Sequence, residues 1–198
     1  KLWSPDNPSL YRLTIKVYNN GKQTDNWSDE VGIRSFRFDA DKGFFLNGEN
    51  IKIKGVCLHD YAGALGTAVP AEVWERRLVS LKEAGCNAIR MSHNPHADYF
   101  YKLADILGFL VMDEAFDEWE TGKNKWIEGW NVGTPGKDGY HEYFKEWADR
   151  DLQDMILRTR NSPSIIMWSI GNEIDYPNDP YSDPILSTGR NPQIYGKG

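Results

Sequence analysis

The apolar and polar positions of the chain follow different patterns before and after about residue 40. Apolar residues alternate with polar ones over Leu10–Tyr18 and again over Val31–Asp39, and Asn19–Lys22 between them has the composition of a turn. Such alternation is typical of half-buried β-strands. Two or three strands do not form a stable sheet on their own. Residues 1–40 therefore predict the C-terminal strands of a β-sandwich whose other strands are supplied from outside this stretch.

After residue 40, short apolar runs alternate with segments of helical periodicity. The predicted strands are 51–56, 87–92 and 110–114, with a fourth in the run 164–173 that ends in Asn172 and Glu173, and the predicted helices are 70–84, 97–107 and 141–160. Strands that alternate with helices favour a parallel sheet with right-handed crossovers. A complete (β/α)8 barrel, or TIM barrel, takes about 250 residues. Residues 41–198 therefore predict an α/β domain, the N-terminal half of such a barrel.

The composition narrows the class of protein and of partner. With 40% hydrophobic and 13% aromatic residues, the chain has the composition of a folded globular protein. Its formal net charge of -6 argues against nucleic acid and anionic membranes as partners, and no apolar run approaches the ~20 residues of a membrane span. Cys57 and Cys86 fall at opposite ends of neighbouring predicted strands, so we expect two free thiols. The composition does not indicate the cellular compartment of the protein, and it is compatible with a homo-oligomer.

Polar side chains end or follow all four predicted barrel strands. They are His59 after the first strand, Arg90 and His93 at the second, Asp113 and Glu114 at the third, and Asn172 and Glu173 at the fourth. Each has an ordinary structural explanation, such as a core histidine or a helix cap. Four strand ends of this kind nevertheless favour one shared site, because active sites of βα barrels lie at the carboxyl ends of the strands. Glu173 is the first candidate for a general acid/base.

Six motifs, taken together and in order, resemble one enzyme family. They are Gly43–Gly48, Lys54–His59, Trp74–Leu78, Asn87–Pro95, Asp113–Glu118 and Trp168–Glu173. In this set the chain resembles glycoside hydrolase family 2, which contains β-galactosidases, β-glucuronidases and β-mannosidases. The resemblance implies an immunoglobulin-like β-sandwich before a (β/α)8 barrel, with residues 1–40 as the C-terminal strands of the sandwich, and hydrolysis of terminal β-glycosides with retention of configuration. We expect β-galactosidase-like activity, with β-glucuronidase or β-mannosidase specificity as alternatives.

The same resemblance implies roles for individual residues. Glu173 would be the acid/base, and Asn172 would hold the 2-hydroxyl of the sugar. Arg90 would orient the nucleophile and keep it ionised. The expected substrate-binding residues are Asn172, His59, His93, Arg90 and Asp113, and the expected partner is a carbohydrate.

The chain departs from the family pattern at the metal site. Magnesium-dependent β-galactosidases of the family carry a carboxylate and a nearby histidine beyond the third strand. The comparable positions here are Glu118 and Glu120, so that histidine is missing. We therefore expect no metal ion and no other cofactor.

The nucleophile of the family is a glutamate at the end of the seventh barrel strand, and four strands are predicted here. We therefore expect the nucleophile to lie outside this chain, and the chain alone to be inactive. Asp113 and Glu114 are the internal substitutes, although the resemblance gives that role to neither. The alternative is a non-catalytic piece that binds carbohydrate through Trp119, Trp126 and Trp130.

Overall fold

A computed structural model describes residues 1–120, 122 and 137–173. Trp126 and Trp130 lie outside these residues. The chain divides into two compact units. The first consists of Lys1–Met91, His96–Met112 and Arg158–Met167, and the second of Ser92–Pro95, Asp113–Leu157 and Trp168–Gly198.

The first unit begins with an antiparallel hairpin of β1 (Tyr11–Asn19) and β2 (Lys22–Val31). Asn20 and Gly21 form its turn with φ values of 50° and 77°, the conformation that a tight hairpin requires. The strand β2 was not predicted from the sequence, because most of its residues are polar. Its strand conformation follows from pairing with β1 rather than from intrinsic propensity.

A three-stranded antiparallel sheet follows, with β3 (Phe36–Asp39), β4 (Gly43–Leu46) and β5 (Glu49–Asn50) in that order. The predicted strand over Val31–Asp39 was therefore too long. The first barrel strand was predicted too early, since residues 51–54 are not a strand. Ile51 donates its backbone N–H to Phe44 O at 3.0 Å, which ties this stretch to the hairpin before the barrel sheet begins.

The barrel strands form a single four-stranded sheet in chain order. They are β6 (Gly55–His59), β7 (Ala88–Ser92), β8 (Leu110–Glu114) and β9 (Ile165–Ser169). The helices between them are α1 (Ala71–Glu83), α2 (Asp98–Leu107) and α3 (Phe144–Thr159). β7 and β8 pair in parallel, with Ala88 opposite Leu110. Alternation of strand and helix in one sheet confirms the predicted first half of a (β/α)8 barrel.

The core of the first unit lies on both sides of its sheet. Helices α1 and α2 cover one side through Trp74, Leu78, Phe100 and Ala104, all fully buried. A second cluster contains Trp3, Phe44, Leu46, Ala88, Leu110 and Ile166. Both thiols are free, as expected. Among the described residues, no helix is long and apolar enough to cross a membrane.

A buried carboxylate joins three segments of the first unit. Asp105 is 7% exposed, and it accepts hydrogen bonds from Ser162 Oγ at 2.7 Å and from the backbone N–H of Ser164 at 3.0 Å. Its own carbonyl accepts from Trp3 Nε1 at 2.8 Å. Burial raises the pKa of the Asp105 carboxyl, and the bonds from Ser162 and Ser164 and the charge of Arg34 partly offset this.

Asp105 should therefore make stability depend on pH. Because its pKa is higher in the folded protein than the unfolded value of about 3.9, its contribution to stability is complete below that value and is lost as pH rises through the folded pKa. In Asp105→Asn this dependence should disappear, so the stability of the wild type relative to the variant should fall with rising pH. Urea denaturation of the purified protein at a series of pH values measures this. A constant difference would contradict it.

Candidate active site

Two of the predicted site residues, His59 and Arg90, lie in the first unit. Along β6, Val56 and Leu58 are half-buried and Leu58 packs on the helix-covered core, whereas Cys57 and His59 are exposed on the opposite face. Arg90 Nη1 lies 4.0 Å from Cys57 Sγ. Side chains that touch across neighbouring strands share a face, so Arg90 lies on the face that carries Cys57 and His59.

In the second unit, the ends of β7, β8 and β9 are joined through Glu114. This side chain is fully buried, with Oε1 2.6 Å from His93 Nδ1 and Oε2 accepting from Ser169 Oγ at 2.9 Å. A carboxylate in the protein interior requires such partners, because burial removes its water. When Glu114 is ionised it only accepts hydrogen bonds, and Nδ1 of His93 is then the donor of this pair. Glu114 thereby sets both the orientation and the protonated nitrogen of the histidine.

The segments after β8 and β9 continue to pair beyond the strands. Ala115 donates its backbone N–H to Ser169 O at 3.0 Å, and Asn172 donates its own to Phe116 O at 2.7 Å. The side-chain amide of Asn172 also donates from Nδ2 to Asp117 Oδ1 at 3.2 Å. Asn172 is 6% exposed. It is therefore held through both its backbone and its side chain.

Glu173 follows Asn172 and is exposed. Its φ of 46° lies in the left-handed region, which side chains other than glycine seldom adopt. Backbone strain of this kind concentrates at functional sites. Just before it, Gly171 lies against the indole of Trp119, where an added Cβ would come within 2.6 Å of the ring. The segment that carries Glu173 is thus pressed closely onto the segment after β8.

Aromatic packing holds the segment after β8 to α3. Phe116 stacks on Tyr140 with ring centroids 4.9 Å apart, and it also contacts Phe144 at 5.4 Å. The Tyr140 hydroxyl donates to Asp151 Oδ2 at 2.6 Å. Desolvation and the neighbouring Asp151 raise the pKa of Tyr140, so it stays a neutral donor.

The structure thus brings together some of the predicted site residues. His93, Asn172 and Glu173 all lie in the second unit, at the carboxyl ends of their strands. Asp113 belongs to the same unit but is fully buried, so its contact with a sugar stays a prediction. The convergence of His59 and Arg90 with these residues also stays a prediction.

The residues present do not match the metal site that the family pattern suggested. Glu118 Oε2 lies 3.0 Å from His141 Nδ1, and Glu120 Oε1 lies 2.6 Å from Lys145 Nζ. In the part of the chain that the structure describes, no three His, Cys, Asp or Glu side chains form a group that could hold a metal ion. We derive no metal-dependent step here.

Sequence reasoning missed three partners of the predicted residues. Asp117 stands inside one of the six family motifs, three residues after the end of β8, so its position was a usable signal. Ser169, at the end of β9, was a weaker signal. His141 lies 23 residues from Glu118, and no spacing rule connects the two.

Comparison with known proteins assigns the family. Residues 39–185 match the family model for the TIM barrel domain of glycosyl hydrolases family 2, and residues 1–34 match a second model described as glycosyl hydrolases family 2. The chain belongs to glycosyl hydrolase family 2. This confirms the resemblance expected from the six motifs.

Relatives within glycosyl hydrolase family 2 are considerably longer than this chain. It is 50% identical over 174 residues to the β-galactosidase BoGH2A of Bacteroides ovatus, which covers 88% of the chain and 19% of that protein. A β-glucuronidase of Bacteroides fragilis is 32% identical over 179 residues, covering 88% and 24%. The crystal structure of a β-glycosidase from Bacteroides vulgatus matches with a TM-score of 0.79 and 42% identity, covering 95% and 22%. The chain therefore spans about a fifth of the length of these relatives.

Glu114 should act as a structural anchor, because both of its oxygens are engaged in a fully buried site. Glu114→Ala leaves His93 Nδ1 and Ser169 Oγ without this acceptor and should lower the free energy of unfolding by about 1–3 kcal/mol. Glu114→Gln keeps one acceptor oxygen and should lose less. Thermal and chemical denaturation measure both variants, with the exposed Asp149→Ala as a control. A loss no larger than that of the control would refute the anchoring role.

Proposed function

We propose that the chain supplies the acid/base half of a retaining β-glycosidase, with β-galactosidase-like specificity and with the nucleophile outside this chain. The observation that carries the proposal is the placement of Asn172 and Glu173. The strand β9 ends three residues before Asn172, Asn172 is buried and held at both backbone and side chain, and Glu173 is exposed beside it. This is the arrangement that a sugar-binding amide and a proton donor to a bound glycoside require.

In the proposed reaction, the neutral carboxyl of Glu173 protonates the glycosidic oxygen as the bond to the anomeric carbon breaks. The carboxylate of the nucleophile forms a covalent glycosyl–enzyme. Glu173, now ionised, then takes a proton from water, whose oxygen attacks the anomeric carbon and releases the nucleophile. Retaining enzymes hold their two carboxyl groups about 5–5.5 Å apart. Glu173 is our candidate for one of the two.

The roles of the other site residues are proposed by analogy with the family. Asn172 is proposed to hold the 2-hydroxyl, and Arg90 to keep the nucleophile ionised. His59, His93 and Asp113 are proposed to contact other sugar hydroxyls. The anchoring of His93 by Glu114 supports this role, because a fixed ring presents its other nitrogen in one direction.

The sugar is proposed from the relatives. The 50% identity is to a protein named a β-galactosidase, whereas the β-glucuronidase of Bacteroides fragilis shares 32%. We therefore favour a β-galactoside over a β-glucuronide, and place a β-mannoside third. Comparison of aryl β-galactoside, β-glucuronide and β-mannoside turnover by the full-length enzyme tests this order.

The acid/base assignment predicts that the effect of Glu173→Gln depends on the leaving group. Glycosides with poor leaving groups need protonation, so their turnover by the full-length enzyme should nearly vanish. The leaving group of an activated aryl glycoside departs without protonation, so the turnover of these substrates should fall less. Steady-state kinetics on an alkyl and a dinitrophenyl glycoside of the same sugar measure this, and equal losses on the two substrates would count against the assignment.

A non-catalytic role for these 198 residues by themselves is the second candidate, because the chain spans about a fifth of the length of its relatives. Of the three tryptophans expected to bind carbohydrate, the structure describes Trp119, whose indole packs on Gly171. Within the described residues, β6 and β9 are the outer strands of this four-stranded sheet, and exposed sheet edges favour aggregation or association.

The isolated chain should therefore show no glycosidase activity. Assays of the purified 1–198 chain on the three aryl glycosides measure this, and Glu173→Ala controls for contaminating enzyme. Robust turnover by the monomeric chain, lost in the control, would place a second catalytic carboxyl within these residues.

A further inference from the structure

Asp117 lies beside the Asn172 amide because of backbone pairing, not because of their places in the chain. The two residues are 55 positions apart. The bonds Ala115 N–H to Ser169 O and Asn172 N–H to Phe116 O extend the pairing of β8 and β9 past their last strand residues. Asp117 is the next residue along this ladder, which places its carboxylate at 3.2 Å from Asn172 Nδ2.

The hydrogen bond to Asp117 determines the orientation of the Asn172 side-chain amide. A carboxylate accepts hydrogen bonds and donates none when ionised, so it attracts the NH₂ group of an asparagine and repels the carbonyl oxygen. With Nδ2 facing Asp117, the Oδ1 atom of Asn172 is directed away from that carboxylate. Hydrogen bonds to an ionised acceptor are about twice as strong as neutral ones, so the preference for this orientation is strong.

An acceptor oxygen is the group that the proposed reaction needs at the 2-hydroxyl. The transition state carries positive charge on the ring, which makes the 2-hydroxyl a better donor than it is in the ground state. A hydrogen bond from this hydroxyl to Oδ1 therefore strengthens as the reaction proceeds and lowers the barrier. An amide turned the other way would present N–H groups and lose this gain.

We propose that Asp117 is a positioning residue that holds Asn172 with its carbonyl oxygen toward the 2-hydroxyl of the substrate. The inference rests on the proposed function. On this proposal, selectivity for substrates that carry a 2-hydroxyl depends on Asp117, a carboxylate that does not contact the sugar.

Substrates with and without the 2-hydroxyl separate this role from a merely structural one. We would measure kcat and KM of the full-length enzyme on an aryl β-galactoside and on its 2-deoxy analogue. The variants are Asp117→Ala, Asp117→Asn, Asn172→Ala and the double variant Asp117→Ala/Asn172→Ala. Asp154→Ala is the matched control, since Asp154 is an exposed carboxylate of the same unit whose side chain is 65% accessible.

Asp117→Ala should lower kcat on the 2-hydroxy substrate by about ten- to hundredfold, the effect of losing one hydrogen bond to a charged group. On the 2-deoxy substrate it should change kcat by less than about threefold, because the contact it supports is already absent. The double variant should be no slower than Asn172→Ala alone. Asp117→Asn keeps an acceptor oxygen and the side-chain size, so it should show a smaller loss with the same substrate dependence, and it serves if the alanine variant does not fold.

Three results would overturn the inference in distinguishable ways. Equal losses of Asp117→Ala on both substrates, with Asn172→Ala still selective for the 2-hydroxyl, would refute the positioning role alone. Equal losses of Asn172→Ala on both substrates would refute the 2-hydroxyl contact in the proposed function, and the role of Asp117 with it. Multiplied losses in the double variant would also show that Asp117 acts independently of Asn172.

Discussion

The second unit depends on the requirement that a buried carboxylate be fully paired. Glu114 has no exposed surface, so its two oxygens must find donors within the protein. It finds them at the ends of the two neighbouring strands, in His93 and Ser169. One side chain at the centre of three parallel strands thus ties their carboxyl ends together and orients a histidine at the same time.

Asn172 and Glu173, the residues proposed to act on the substrate, follow Ser169 by three and four positions along the chain. Pairing of β8 with β9 continues past Glu114 and Ser169, and it brings the backbone of Asn172 onto Phe116. Phe116 is in turn fixed by aromatic contacts with Tyr140 and Phe144. The proposed acid/base therefore stands on a loop whose position is determined by packing, as a catalytic group must be if it is to be held close to its reactive geometry.

The sequence predicted the elements of the barrel better than those that precede it. β8 was predicted with its observed limits, and β9 lies inside the run 164–173 that was predicted to contain a strand, because buried parallel strands are continuous apolar runs bounded by helices. β2 was missed, because a polar strand is specified by its partner across the hairpin. β6 was placed too early, because Ile51 and Ile53 alternate like a strand although Ile51 pairs with Phe44 of the preceding hairpin and β6 begins at Gly55.

Local sequence patterns were enough to predict the alternation of strands and helices, the family motifs and the position of Glu173 after an apolar strand, because each of these is contained in a short stretch of chain. The side-chain partners follow only from the three-dimensional fold: Glu114 for His93 at 21 residues' separation, His141 for Glu118 at 23, and Asp117 for Asn172 at 55. Such pairs have no common spacing, because they depend on which strands lie side by side and on how far their pairing continues beyond the strand ends.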